Sequence, residues 1–152
     1  MSCKGKTDAN TTIPEEKLKW SEIVITLDHQ RILIYNNSDS AYFFQWDFKK
    51  EFHHGKTDPS IVYKPTNSRD TTFIITKSER DSLAKYVYSL ITKPVFTTKF
   101  VTDYVGNISF LLKSGGTSLS CEYNSVGNWT NTSGPTQKIY RLLSNKVNIS
   151  SN

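Results

Sequence analysis

At 152 residues, 36% hydrophobic and 12% aromatic, the chain is long enough for one domain with its own core and too rich in rings to be a disordered tail throughout. Its net charge of +5 is spread among acids, as in Lys49-Lys50-Glu51 and Glu79-Arg80-Asp81, so no basic stripe forms and nucleic acid is not expected as a partner. No run reaches the ~18 apolar residues that a membrane-crossing helix needs.

The opening stretch, residues 1–16, is rich in Lys, Thr, Asp and Glu and shows no apolar spacing, which predicts a flexible tether. Order is expected from residue 17. Ile23, Ile25 and Leu27 alternate with Glu22, Val24 and Thr26, one apolar face of a strand. Asp28-His29-Gln30 turns the chain into a second strand, Arg31 to Tyr35, and Asn36 to Ser40 is a turn cluster. A third strand follows in which Tyr42, Phe44, Trp46 and Phe48 share one face and Phe43, Gln45, Asp47 and Lys49 the other. The segment from His53 to Pro59 is expected as a loop, Ile61-Val62-Tyr63 as a short extended piece, and Pro65 to Ser68 as another turn.

The β-branched run Thr71 to Ile75 predicts a strand leading into a helix. Thr76 and Glu79 have capping-box spacing, and Leu83, Tyr86, Val87, Leu90 and Ile91 form its apolar stripe until Pro94 stops it. Val95 to Asp103 is expected as a strand with a turn through Tyr104 to Asn107. Ile108, Phe110 and Leu112, then Leu119, Cys121 and Tyr123, alternate on either side of a Gly115-Gly116 hairpin turn. After a polar loop, Asn124 to Gly134, Pro135 opens a second helix with Ile139, Leu142, Leu143 and Val147 on one side. Residues 149–152 are expected to fray. The fold class is therefore α+β: a single domain over 17–148, a mostly antiparallel sheet of about six to eight strands (a meander plus a hairpin), with two amphipathic helices packed on one face.

Catalytic chemistry is hard to assemble from these residues. His53 and His54 are adjacent, so in extended chain they point opposite ways, and no second ligand spacing accompanies them or His29. No nucleophile-elbow G-x-S-x-G and no Cys–His setting occurs, and Gly115-Gly116 lacks the Lys-Ser/Thr of a phosphate loop. Asp47, Glu51, Asp58, Asp103 and Glu122 carry no spacing that pairs two of them. No catalytic residue, metal ligand or cofactor is expected.

Two features suit binding. The rings of Tyr42, Phe44, Trp46 and Phe48 are expected to form the layer beneath the helices, the competing use being a platform for a sugar or peptide. Trp129, between Asn128 and Thr130 in a polar loop, belongs to no helical or strand period, so it is expected to be an exposed ring and these three residues a partner-binding site. The two cysteines allow only one pair, Cys3 with Cys121; Cys121 lies in an alternating strand and is expected as a small buried, reduced side chain with no bridge to Cys3. Six Asn-x-Ser/Thr sequons, at Asn10, Asn36, Asn107, Asn128, Asn131 and Asn148, are treated as composition.

The segment Ser2-Cys3-Lys4-Gly5-Lys6, the polar tether and the α+β domain together make the chain resemble the mature region of small, uncharacterised Gram-negative cell-envelope lipoproteins. The resemblance implies that Cys3 bears a lipid through its thioether, that the export signal lay upstream with Met1 an added start, and that the protein stands on the periplasmic side or cell surface, touching the membrane only through that lipid. Secreted or cytoplasmic placement is the alternative. The expected function is a non-enzymatic envelope protein that binds an unidentified protein or other macromolecule. The alternatives are an immunity protein neutralising a secreted toxin and a hydrolase with an unrecognised site.

Overall fold

The computed structural model describes residues 18–54, 59–94 and 106–151, and the side chains of all of these except 49–65. Strands β1 (Glu22–Leu27), β2 (Gln30–Tyr35), β3 (Ser40–His54) and β4 (Pro59–Ile74) run as a meander, and β5 (Asn107–Ser114) with β6 (Thr117–Asn124) forms a hairpin. One open, antiparallel six-stranded sheet results, in the order β4-β3-β2-β1-β5-β6. Helices α1 (Lys77–Thr92) and α2 (Gly134–Ser144) complete a single α+β domain. The expected strand at 95–103 and the tether at 1–16 lie outside the described residues.

The alternation in the sequence determines which face is covered. Ile25 pairs with Ile32 on one side and Phe110 on the other, and Ile32 and Phe110 pair in turn with Phe43 and Cys121. Cross-strand partners share a face, so this row and its neighbours two residues away form one apolar surface: Ile23, Ile25, Ile32, Ile34, Ala41, Phe110, Leu112, Cys121 and Tyr123 are all fully buried. Onto it α1 lays Leu83, Ala84, Val87, Leu90 and Ile91, and α2 lays Ile139 and Leu143. Each large aliphatic side chain so enclosed contributes at most about 1.5–3 kcal/mol of transfer free energy.

Both helices start where capping chemistry dictates. Thr76 accepts from the Glu79 amide, and the Glu79 carboxylate accepts from the Thr76 amide at 2.8 Å. Ser133 and Thr136 make the same reciprocal pair ahead of α2, with Pro135 in its first turn. Arg80 is buried within α1 and ties it to the sheet by donating to the Asp39 carboxylate at 2.5 Å and the Ile75 carbonyl at 2.8 Å. The Gly115-Gly116 turn uses Gly115 at φ 60°, a left-handed conformation that a side chain would disfavour.

Several expectations need correction. Pro65 to Ser68 is not a turn: β4 is one continuous strand whose pairing with β3 shifts register between Asp47 and Phe48. Proline is tolerated there because β4 is an edge strand and an outward amide is not needed by the ladder. His53 and His54 pair with Ser60 and Pro59 inside the β3–β4 ribbon and are not loop residues. The terminal segment does not fray at 149–151. Ile149 is buried, Gln30 donates to the Asn148 carbonyl at 2.9 Å, and Gln30 accepts from the Ser150 amide at 2.7 Å.

Candidate interaction surface

Trp129 is a core residue. It opens a short 3-10 turn (Trp129–Asn131) with 1% exposure, its ring edge-on to Phe110 at 5.8 Å and to Tyr140 at 5.7 Å. Its indole N–H donates to the Ser150 carbonyl at 2.8 Å, so the polar atom of a buried ring is satisfied by the C-terminal segment. Thr130 is also buried, and Asn128, though exposed, spends its side-chain oxygen on the Thr130 amide and hydroxyl. The expectation of an exposed ring at Trp129 is thereby corrected, and with it the case for this loop as the place a partner meets. Nothing in the sequence betrays this burial, since a single turn of 3-10 helix has no period to read.

The aromatic strand is corrected in the opposite sense. Phe43 and Ala41 face the helices, and Tyr42, Phe44, Trp46 and Phe48 take the alternate positions on the other face, so these rings are not the layer beneath the helices. On that face, which no described helix covers although Val24 there is buried, Tyr42 pairs with Leu33 and Thr72, and Leu33 with Val24, which pairs with Leu111. Tyr35 and Ile74 flank Tyr42 one row away. The apolar row Leu111–Val24–Leu33–Tyr42 thus runs across four strands and meets the ring column of β3 at a corner.

Exposure distinguishes this surface from everything else described. The exposed large hydrophobic side chains among the described residues are Tyr42 at 38%, Phe48 at 37% and Ile74 at 63%, and register puts all of them on the face that no described helix covers. The rings brace one another. Tyr42 and Phe44 stack at 6.4 Å and 17°, Tyr35 meets Tyr42 edge-on at 6.3 Å, and His29 from the β1–β2 turn stands edge-on to Phe48 at 5.0 Å. Polar groups frame them: Arg31 and Asp70 sit either side of Phe44 in register, and Glu22 and Lys113 form an ion pair at 2.8 Å beyond Tyr35.

This surface is mixed in chemistry, with exposed rings and Ile74 beside charged groups. Stacked and edge-on rings offer apolar area with little rotamer freedom left to lose, and the flanking charges give a partner something to orient against. Val24, Leu33 and Leu111 carry the signal that sequence reasoning missed: each is an apolar residue at a position where strict alternation calls for a polar one. Among the described residues no group of three or more His, Cys, Asp or Glu side chains is arranged to hold a metal ion, and no described helix is long and apolar enough to cross a membrane.

Cys121 departs from expectation in its chemistry though not in its burial. It is fully buried on β6 but disulfide-bonded, not reduced. Cys3, where a lipid is expected, lies outside the described residues. No protein-family model, no curated protein and no solved structure matches the chain.

Proposed function

We propose that the chain is a non-enzymatic binding domain that works outside the cytoplasm and engages a protein or other macromolecular partner through the uncovered face of its sheet. One observation carries the reading: the exposed large hydrophobic residues gather on the one sheet face that no described helix covers. Leaving rings and Ile74 in water costs solubility and contributes nothing to a core, so their collection on one face is explained by a partner that covers them. Isolated exposed hydrophobics would need no such account.

The placement outside the cytoplasm is supported by the disulfide at Cys121, a bond that persists in oxidising compartments and is rare where glutathione keeps thiols reduced. It does not depend on the lipid expected at Cys3. The test is site-specific photo-cross-linking in cells, with benzoylphenylalanine placed at position 42, 48 or 74, and at Lys85 on the exposed side of α1 as the control. Discrete adducts from the three sheet positions and none from position 85 are expected. Adducts from position 85 alone would move the binding surface to the helices.

A further inference from the structure

We infer that the partner meeting this sheet face is a second copy of the chain, packed sheet to sheet about a two-fold axis that runs along β3. The inference rests on the reading above that the face is a binding surface, and it names the occupant. Three successive rows carry it. Arg31, Phe44 and Asp70 lie side by side on β2, β3 and β4, so a cation and a carboxylate stand on opposite sides of one ring. Both charged residues are exposed, and neither has an ion-pair partner among the described residues. In the next row Leu33 and Thr72 flank Tyr42. One row further, Tyr35 on β2 and Ile74 on β4 lie on opposite sides of β3, and Ile74 is the most exposed large apolar side chain described.

Symmetry decides what each of these positions meets. Facing sheets stack roughly 10 Å apart, with strand directions within about 30° of each other. An axis lying between the sheets along β3 exchanges the β2 side for the β4 side and leaves each row in place. The ring column then meets itself, Phe44 on Phe44 and Tyr42 on Tyr42. Arg31 meets the second copy's Asp70, and Asp70 meets the second copy's Arg31, so an ion pair forms on each side of the rings. Tyr35 meets the second copy's Ile74, an aromatic ring against an exposed aliphatic side chain.

An axis running across the strands reverses the order of the rows instead. Centred on Phe44, it sets Arg31 on Arg31 and Asp70 on Asp70. Centred on Tyr42, it sets Arg31 on Tyr35 and Asp70 on Ile74, which strips water from two charges without pairing them. Facing like charges and unpaired desolvated charges are both unfavourable. Charge complementarity therefore selects one isologous arrangement, the one along β3.

The experiment is sedimentation velocity of the full chain across a micromolar concentration series, and reversible dimerisation is expected. Arg31→Asp or Asp70→Arg alone places like charges opposite each other and is expected to weaken the dimer about tenfold or more. The double variant restores opposite charges and is expected to recover wild-type affinity to within about threefold. A monomeric wild type, a dimer indifferent to the single changes, or a double variant that does not recover would each overturn the inference. A second readout leaves both charges intact: purified chain with benzoylphenylalanine at position 42 is expected to give an adduct of twice the chain mass, and chain with it at position 85 none. Adducts from position 42 to another macromolecule in cells, with the purified chain monomeric, would overturn the second copy and leave the binding face standing. Adducts from position 85 alone would overturn both.

Discussion

Trp129 and Tyr42 make opposite predictions from the same chemistry. Truncating Trp129, held at 1% exposure between Phe110 and Tyr140, is expected to cost about 3–5 kcal/mol by denaturant unfolding. Tyr42→Ala, at a ring 38% exposed, is expected to cost roughly 1 kcal/mol or less. The sequence suggested the reverse, because the polar neighbours of Trp129 mark a loop, whereas Tyr42 sits in an obvious strand. Strand alternation says which residues share a face but not which face the helices will choose. A second residue is informative in the same way. The Tyr123 hydroxyl is buried without a hydrogen-bond partner, and burial pushes its ionisation above the ordinary 10.0. Tyr123→Phe is therefore expected to leave stability unchanged or to raise it by about 1 kcal/mol at neutral pH. Because the neutral phenol is the form the fold accepts, its contribution is complete below pH 10 and fades as pH rises through the raised value; the phenylalanine variant should lose less stability in alkali.

At the scale of elements, α1 was the most legible part of the chain, since capping box, apolar stripe and terminating Pro94 are all local signals. Its cap also gives a pH-dependent prediction. The Thr76 amide, and after it Lys146 at 2.9 Å, hold the Glu79 carboxyl below its ordinary 4.5. Glu79→Ala is expected to cost about 1 kcal/mol at neutral pH. A carboxyl with a lowered folded value stabilises above 4.5 and ceases to do so as pH falls through that lowered value, so wild type and variant should converge in acid. Strand β4 was the least legible element, because Pro65, Asn67 and Ser68 are turn-forming residues wherever a neighbour strand does not hold them straight. Pairing with β3 along its whole length overrides that preference, and such pairing is decided by chain far away. The C-terminal segment was misread for the same reason. Gln30 and Trp129, far apart in sequence, both bind it, so deleting residues 149–152 is expected to cost roughly 2–5 kcal/mol by denaturant unfolding.

Taken whole, the molecule has a layer of helices on one side of its sheet and a ring-bearing surface on the other. The triple variant Tyr42→Ala, Phe48→Ala, Ile74→Ala is expected to lower Tm by no more than about 10 °C and to stay folded, because none of the three is fully enclosed. The same variant should erase the cross-links formed by a photo-reactive residue placed at Thr72 in their midst. The α+β class and the helices' one-sided packing were visible in apolar periodicity. The identity of the exposed face was not, because it depends on which of two apolar-bearing surfaces the helices bury.

The pairing of β1 with β5 has a consequence for how the protein is made. β1 lies at the sheet's centre, yet one of its two neighbours arrives only at residues 107–114, and the side chains that seal that half of the layer, Trp129, Ile139, Leu143 and Ile149, come later still. A nascent chain therefore has no early resting point. Until synthesis passes Ile149, the apolar side of the meander has half a cover, and the growing polypeptide stays pliable along most of its length.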